Sequence, residues 1–169
     1  MFPMKELVFM RHGLALSATE SGPRGDAGRE LSPEGKIQIA VSSKRLKELG
    51  FSPGIIISSP FLRALETADI AAEYFPAAKR AIEPALVCAA STIDILNAIT
   101  AAASAEPSVL VIGHQPTLSL MCSHLLKANS LPLSTGGFAY LKFPYDPDLS
   151  GGPDHGKAEL TDFFAPESI

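Results

Sequence analysis

Three short apolar segments, each followed at once by polar side chains, constrain the fold of this chain more than any other feature. Residues 7–10, 55–57 and 109–112 contain only apolar side chains. Runs this short, without alternation between polar and apolar residues, are typical of strands buried on both faces of a parallel sheet. Helix signals lie between and after these runs. We therefore predict an α/β fold, a three-layer sandwich with a mostly parallel central sheet and helices on both faces.

The ends of these segments carry residues that suit the binding of an anion. Arg11, His12 and Gly13 follow the first run, Arg63 lies just inside the helix after the second, and His114 follows the third. Ligands of open α/β sheets bind beyond the carboxyl ends of the strands. If the three strands are parallel neighbours, these side chains meet in one crevice. There Gly13 allows the backbone a tight turn or a close approach to a ligand.

The chemistry of these side chains indicates phosphoryl transfer. A neutral imidazole accepts a phosphoryl group, so His12 is the candidate nucleophile of a covalent mechanism. Arg11 and Arg63 would stabilise the charge of the transferred group, because planar guanidinium groups suit phosphate oxygens. We also expect their charge to keep His12 neutral near pH 7, while His114 donates a hydrogen bond. This arrangement needs no metal or other cofactor, and the sequence has no HxxxH or paired cysteines to bind zinc.

Length and composition favour a single domain over residues 1–169, large enough to bury a core. The net charge of −4 argues against a nucleic-acid partner. No apolar run approaches a membrane span, and charged residues interrupt the apolar start before any secretory signal is complete. We therefore expect a cytoplasmic protein without membrane partners. Cys88 and Cys122 lack the spacing of a disulfide framework, so we expect reduced thiols.

Local signals predict the remaining elements. A Ser-Pro pair at 32–33 begins a helix that ends at Gly50, and the pair at 59–60 repeats this signal with Ser59 as the cap. Other segments show helix, strand or loop patterns: an extended segment at 81–84, helices over 91–103 and from 116, a strand over 136–143, a loop over 144–156 and an edge strand over 157–164.

The segment between the first strand and the first long helix is polar and rich in glycine. Loops as long as residues 14–31 are uncommon in compact domains and are usually functional or disordered. We expect this loop to form a rim over the crevice. Arg24 and Arg29 are then either solvated charges or contacts to a partner.

Three motifs along the chain resemble those of the histidine phosphatase superfamily, which has the phosphoglycerate mutase-like fold. They are Arg11-His12-Gly13, the segment SPFLRA at 59–64 with Thr67 and Ala68, and Gly113-His114. The segment LSPEG at 31–35 and the small size are similar to the SixA-type phosphohistidine phosphatases. The resemblance implies that His12 is the phosphorylated nucleophile. It also implies a phosphate pocket formed by Arg11, Gly13, Arg63 and His114.

The sequence departs from the family pattern at the general acid. In the mutases and many acid phosphatases of the superfamily, a glutamate after the second arginine protonates the leaving group, but the comparable position here is Cys88. Glu83 or Asp94 could supply the proton, although neither has the matching spacing. An alkoxide leaving group needs such a donor, which contributes ~10²–10⁴-fold to the rate. The nitrogen of a P–N bond, in contrast, can leave already protonated.

The sequence therefore favours a metal-independent phosphatase that acts through a covalent phosphohistidine intermediate. Its expected substrate and partner is a phosphotransfer protein that carries phosphohistidine. Two alternatives stay open. One is a phosphomonoesterase that acts on a small phosphorylated substrate with Glu83 or Asp94 as its acid. The other is a module that binds phosphate or a phosphoprotein without turnover.

Overall fold

The computed structural model of the chain describes residues 4–87, 91–144 and 158–167. The strands in these ranges are β1 (Glu6–Arg11), β2 (Ile55–Ser58), β3 (Lys79–Ile82), β4 (Ser108–Gly113), β5 (Phe138–Lys142) and β6 (Glu159–Phe164). The α-helices are α1 (Ala18–Ser21), α2 (Pro33–Glu48), α3 (Leu62–Tyr74), α4 (Thr92–Ala102) and α5 (Thr117–Leu126). Short 3-10 helices cover Gly22–Arg24, Asp26–Gly28 and Pro84–Leu86.

The strands form one mixed sheet in the order β3-β2-β4-β1-β5-β6. Strands β1 to β4 pair in parallel, whereas β5 is antiparallel to both β1 and β6. The three strands predicted from the apolar runs are therefore parallel neighbours, with β4 in the middle. Their register places Arg11 opposite Gly113 and Ser58 opposite Ile112. The carboxyl ends of β1, β4 and β2 thus lie side by side.

Apolar side chains cover both faces of the sheet. Helices α2 and α3 pack on one face. The buried side chains of this layer include Ile39, Leu46, Ala64 and Ala68 from the helices and Val8, Ile56 and Leu110 from the strands. Helices α4 and α5 pack on the other face. The buried side chains of this layer include Ile95, Leu96, Ile99, Leu118 and Met121 from the helices and Leu7, Ile57 and Val111 from the strands. The prediction of a three-layer α/β sandwich with a mostly parallel sheet is confirmed.

The two Ser-Pro signals have different structural outcomes. Ser32 is the N-cap of α2, where its hydroxyl accepts the Gly35 N–H at 3.0 Å. The prediction that Ser59 caps the next helix is wrong, because α3 begins at Leu62 with Phe61 as its cap residue. Residues 60–61 form a bend between β2 and α3. This bend keeps Ser59 at the strand end, where its hydroxyl contacts the site described below.

The other predicted elements agree with the structure within one to three residues at most ends. The extended segment is observed as β3, and Ser91 caps α4 by accepting the Asp94 N–H at 3.2 Å. The predicted edge strand is observed as β6, paired with β5 at the sheet edge. The loop predicted over 144–156 lies outside the described residues except for its first residue, and Cys88 lies outside them too.

Segment 14–31 is more regular than the predicted loop. It contains α1 and two 3-10 helices, and Ser17 and Glu20 cap α1 reciprocally. A short bridge pairs Ala15 with Leu31, and the Leu31 N–H donates to Glu66 on α3 at 2.6 Å. The two ends of the segment are therefore tied together and held against the helix that carries Arg63.

Three further observations concern the described residues. None of their helices is long and apolar enough to cross a membrane. Their His, Cys, Asp and Glu side chains form no group of three or more that could hold a metal ion. Cys122 is a buried free thiol on α5, and burial raises its pKa to about 12.

Candidate active site

The sheet brings the predicted site residues together at its carboxyl edge. Arg11 ends β1 and is followed by His12, His114 follows β4, and Arg63 is the second residue of α3, after β2. The rings of His12 and His114 lie 5.0 Å apart between centroids. The Arg63 Nε lies 3.2 Å from His12 Nε2. The side chains expected at the three strand ends therefore lie close together in the structure.

His12 is held in one tautomer by its backbone neighbour. Its side-chain Nδ1 lies 2.7 Å from the Gly13 carbonyl oxygen, which can only accept a hydrogen bond. The proton of the neutral ring is therefore on Nδ1, and Nε2 carries a lone pair. The Arg63 Nε–H donates to that lone pair at 3.2 Å. Only 8% of His12 is exposed, so the structure presents a neutral, oriented imidazole nitrogen to the guanidinium group.

Arg63 uses every nitrogen of its guanidinium group. Nε donates to His12, Nη1 donates to the Asp26 carbonyl oxygen at 2.7 Å, and Nη2 donates to the Asp26 carboxylate at 3.2 Å. The ring of Phe61 lies 5.0 Å from the guanidinium carbon. Arg63 is buried, so its orientation is fixed on three sides before any ligand binds.

His114 contacts the strand end of β2. Its Nε2 lies 2.6 Å from the Ser59 hydroxyl, which also accepts the Phe61 N–H at 3.2 Å. Its other ring nitrogen, Nδ1, is buried and has no hydrogen-bond partner among the described residues. His114 therefore keeps one ring nitrogen for a further hydrogen bond.

Arg11 is anchored by the segment that precedes β5. Its Nη1 donates to the Leu133 carbonyl oxygen at 3.1 Å, and the Gln115 side-chain amide donates to the same oxygen at 3.3 Å. The Arg11 Nε is buried and has no hydrogen-bond partner among the described residues. A phosphate oxygen is the kind of acceptor that such an N–H group requires.

Burial sets the protonation state of the two imidazoles. The pKa of His12 falls from 6.5 to about 3, mainly through burial and in smaller part through His114, Arg63 and Arg11. The pKa of His114 falls to about 4, again mainly through burial, with smaller contributions from the positive charges of Arg63 and Arg11. Both rings are therefore neutral at pH 7. The prediction of a neutral His12 agrees with the lowered pKa. Loss of hydration on burial, however, contributes more to the lowering than the two arginines to which the prediction attributed it.

Gly13 packs against the start of α2 where no side chain fits. A Cβ atom added there would lie 2.5 Å from the Gly35 carbonyl oxygen, which belongs to the backbone and cannot move aside. The Gly13 N–H donates to the Thr67 hydroxyl at 3.2 Å, and that hydroxyl donates to the Arg63 carbonyl oxygen at 2.7 Å. Thr67 thus connects the turn after His12 with the helix that carries Arg63.

The two carboxylates predicted as alternative acids have partners elsewhere. Glu83 accepts the Ala85 N–H at 2.9 Å, at the start of the 3-10 helix after β3. Asp94 accepts the Ser91 hydroxyl at 2.7 Å on an exposed helix start. Neither forms a hydrogen bond or ion pair with Arg11, His12, Arg63 or His114 among the described contacts.

Asp26 is the site residue that sequence reasoning missed. Its carboxylate accepts from Arg63 Nη2 at 3.2 Å and from Arg29 Nη1 at 3.1 Å, and its side chain is 60% exposed. Hydrogen bonding to Arg29 and the charge of Arg63 lower its pKa, so the carboxylate is ionised at neutral pH. No spacing rule pointed to it, because an acidic residue in a glycine-rich segment is an ordinary turn residue.

The two arginines of segment 14–31 have separate roles. Arg24 forms an ion pair with Glu30 at 3.0 Å and is 56% exposed, as a solvated charge would be. Arg29 is less exposed, because its Nε donates to the Leu16 carbonyl oxygen at 2.7 Å while Nη1 holds Asp26. Arg29 therefore fixes the segment beside the site.

Sequence comparisons identify the family. The chain matches the model of the histidine phosphatase superfamily (branch 1) over residues 7–87. It is also 32% identical over 118 residues to an uncharacterised protein of Picosynechococcus, across 67% of this chain and 68% of that protein. The chain belongs to the histidine phosphatase superfamily. The resemblance seen in the three motifs is thereby confirmed, and family membership supports the prediction of a phosphatase enzyme.

Solved structures of two phosphatases share the fold. The protein histidine phosphatase SixA in complex with tungstate matches with a TM-score of 0.78 and 21% identity, over 95% of this chain and 97% of that chain. A mycobacterial glucosyl-3-phosphoglycerate phosphatase in complex with VO3 matches with a TM-score of 0.67 and 18% identity, over 95% and 99% of the two chains. The phosphoglycerate mutase-like α/β fold is confirmed.

Proposed function

We propose that this member of the superfamily is a metal-independent phosphatase that carries the phosphoryl group on His12 and removes it from phosphohistidine of a phosphotransfer protein. The observation that carries the proposal is the state of His12. Its Nδ1–H is held by the Gly13 carbonyl oxygen, so Nε2 has the lone pair of a nucleophile and faces a guanidinium group. An oriented neutral imidazole is what a phosphoryl acceptor requires.

Two arginines and a second histidine supply the charge and the hydrogen bonds for the phosphoryl group. Arg63 gives up its contacts with His12 and the Asp26 carboxylate to bind phosphoryl oxygens, and the buried Arg11 Nε–H gains an acceptor. We assign the proton of neutral His114 to Nδ1, with the Ser59 hydroxyl donating to Nε2. His114 can then donate to the phosphoryl group as negative charge spreads over its oxygens.

The two chemical steps balance without an added acid. His12 Nε2 attacks phosphorus, and the P–N bond of the substrate breaks with its electron pair on the leaving ring nitrogen. A substrate imidazole that is protonated on its other nitrogen leaves as a neutral ring, while His12 becomes a phosphorylated cation whose Nδ1–H stays on Gly13. Water then attacks phosphorus, and the bond from phosphorus to His12 Nε2 breaks with its electron pair on Nε2. The product is inorganic phosphate that carries both protons of the water, and neutral His12 is restored.

The position of the acids favours P–N over P–O cleavage. Glu83 and Asp94 bind other groups, and Asp26 is held ionised by two arginines. A phosphate ester with an alkoxide leaving group would lack the proton donor that it needs. The named SixA neighbour is a protein histidine phosphatase, and its likeness to this chain is one of fold.

A second candidate is a phosphomonoesterase that acts on a small phosphorylated molecule. The fold match to a glucosyl-3-phosphoglycerate phosphatase supports it, since the same fold performs ester hydrolysis there. This candidate requires a carboxylic acid in the site, and the only carboxylate that the described contacts place on the four site side chains is Asp26.

The experiment compares two classes of substrate on one enzyme. Purified enzyme is given a phosphotransfer domain phosphorylated on histidine, free phosphohistidine and an alkyl phosphate. We expect kcat/KM to be ~10²-fold or more higher for the two phosphohistidine substrates, because only the ester lacks an acid. A preference for the phosphorylated domain over the free amino acid indicates a protein substrate. A preference for the ester would contradict the proposal.

The His12→Asn variant is the matched control for this comparison. Asparagine keeps a polar side chain of similar length but has no nitrogen lone pair for attack. We expect it to abolish turnover of all three substrates. Turnover that persists in this variant would show that another group accepts the phosphoryl group.

A further inference from the structure

The ionised Asp26 carboxylate lies beside the position that the phosphoryl group must take. The Nε–H and Nη2–H bonds of a guanidinium group project from the same edge of its plane. On Arg63 these two donors point to His12 Nε2 and to the Asp26 carboxylate oxygen, each at 3.2 Å. The nucleophile and the carboxylate are thus adjacent acceptors on the edge that binds two oxygens of a phosphoryl group.

This arrangement presents an electrostatic problem for a phosphate ester. When a phosphoryl group takes the Nη2 hydrogen, Asp26 stays in place because Arg29 holds its other oxygen at 3.1 Å and Arg63 Nη1 holds its backbone carbonyl at 2.7 Å. An anion next to the phosphoryl dianion weakens binding unless a cation lies against it. Arg29 and Arg63 each bind one oxygen of the carboxylate, and the Asp26 side chain is 60% exposed, so a further cation can reach it from solvent.

The group that resolves this conflict is a cationic leaving group. A phosphorylated imidazole with its second ring nitrogen protonated brings a positive N–H within reach of an exposed carboxylate. Each carboxylate oxygen of Asp26 uses one lone pair on an arginine and keeps another for such a donor. A neutral ester oxygen offers no hydrogen and no positive charge at that place.

We propose that Asp26 is a specificity-determining residue that binds the ring N–H of the leaving imidazole and so selects phosphorylated nitrogen over phosphate esters. This inference rests on the proposed function. Asp26 keeps the substrate ring protonated, and the ring leaves with the electron pair of the broken P–N bond as neutral imidazole. The positive charge passes from the substrate ring to His12, whose own N–H is held by the Gly13 carbonyl oxygen.

The Asp26→Asn variant tests this role with two small substrates. The first is N-phosphoimidazole, whose ring needs protonation, and the second is 4-nitrophenyl phosphate, whose leaving group needs none. At pH 8 we expect kcat/KM for N-phosphoimidazole to fall about 10–100-fold, the range for one charge-assisted hydrogen bond. The value for 4-nitrophenyl phosphate should stay within about threefold or rise, because a negative charge is removed.

The pH dependence supplies a second signature. The imidazole ring protonates near pH ~6.5 in water, so the deficit of Asp26→Asn on N-phosphoimidazole should shrink at pH 5.5. The charged or titratable groups that face Asp26 are Arg29, Arg63 and His114. All three are present in both proteins, and His114 is neutral at either pH because its pKa is lowered to about 4. A deficit that is the same at both pH values would overturn the proposal.

Glu30→Gln is the matched control. It removes one carboxylate from the same segment, where the Glu30 carboxylate pairs with exposed Arg24, and we expect no change on either substrate. Inhibition by inorganic phosphate measures how tightly the site binds phosphate. It therefore distinguishes recognition of the substrate ring by Asp26 from a role of Asp26 in positioning Arg63. If Asp26 only positions Arg63, the Asn variant binds phosphate more weakly and loses both activities equally, which would overturn the inference. If wild-type enzyme hydrolyses only the ester, the proposed function fails together with it.

Discussion

The candidate site has two halves that the chain builds by different means. Arg11, His12 and His114 form a strand-borne half at the buried ends of β1 and β4. Asp26 and Arg29 form a loop-borne half on segment 14–31. The first half is fixed by the sheet and by backbone contacts, whereas the second lies nearer the surface, where hydrogen bonds and ion pairs hold it. Arg63 lies between them and donates hydrogen bonds to both.

The difference assigns a separate task to each half. Burial strips water from the imidazoles, lowers their pKa values and keeps His12 Nε2 available for attack. Hydrogen bonding to Arg29 and the charge of Arg63 keep the Asp26 carboxylate ionised, and its exposure leaves it accessible from solvent. In the proposed function, the rigid half performs the chemistry and the half at the surface selects the leaving group.

The largest expected effect on activity comes from substituting Arg63, the residue that contacts both halves. Arg63→Lys keeps one positive charge but loses the planar edge that contacts His12 and Asp26 together. We expect kcat/KM for phosphohistidine to fall by ~10²–10³-fold, the usual cost of removing one donor that stabilises transition-state charge. Steady-state kinetics measure this loss. Arg45→Lys is the matched control, because Arg45 forms an exposed ion pair with Asp162 away from the site.

Substitutions in the two halves should also differ in their effect on the free energy of unfolding, and these effects are smaller. Thr67→Val removes the hydroxyl that accepts the Gly13 N–H and leaves that buried donor without a partner. We expect the free energy of unfolding to fall by about 1–3 kcal/mol. Arg29→Met, in the loop-borne half, should cost less, about 1 kcal/mol, because its ion pair with Asp26 is open to water and the Leu16 carbonyl oxygen that it also binds is only partly buried. Urea unfolding of both variants measures the difference.

Thr100→Val is the control for the Thr67 variant. The Thr100 hydroxyl donates to the Leu96 carbonyl oxygen within α4 and binds no second residue among the described contacts. Its removal leaves no buried N–H unpaired, so the loss should be smaller than for Thr67→Val. Equal losses for Thr67→Val, Arg29→Met and Thr100→Val would remove the distinction between the halves.

A pH dependence of stability also distinguishes the strand-borne half. The pKa values of His12 and His114 fall from 6.5 to about 3 and about 4 in the folded chain, mainly through burial. As the pH falls below ~6.5 the unfolded chain binds protons that the folded chain refuses, so the free energy of unfolding decreases. Each ring contributes a slope of up to ~1.4 kcal/mol per pH unit until its folded form titrates.

Urea unfolding at pH 7, 6 and 5 checks this slope. These values lie above the carboxylate titrations, so the histidines dominate the change. His12→Asn should show a shallower decrease than the wild type, because one of the two buried rings is gone. An equal slope in both proteins would mean that His12 is accessible to protons in the folded state.

The strand-borne half could be predicted from the sequence because its signals are local. Unbroken apolar runs specify buried parallel strands, and the residue after each run must lie at the carboxyl edge. Arg11, His12 and His114 follow from this rule. The role of Ser59 could not be predicted in this way. Its sequence context indicates a helix cap, but its hydroxyl contacts His114, which follows another strand.

The loop-borne half could not be predicted, because its geometry depends on contacts between distant residues. Asp26 reaches Arg63 only because Arg29, Leu31 and the bridge between Ala15 and Leu31 fold segment 14–31 against α3. No periodic pattern in the sequence indicates such contacts. Glu83 and Asp94 attracted attention by sequence position, yet their carboxylates serve the starts of a 3-10 helix and of α4. Acidic residues are common at such helix starts.

The central claim is that His12 carries the phosphoryl group during turnover. Rapid mixing with a radiolabelled phosphoramidate, followed by quenching in alkali within milliseconds, tests it most directly. We expect label on the protein that is stable to base, released by acid and located on the peptide that contains His12. His12→Asn should carry none. Turnover of the wild type without labelled protein, or label that persists in His12→Asn, would contradict the account.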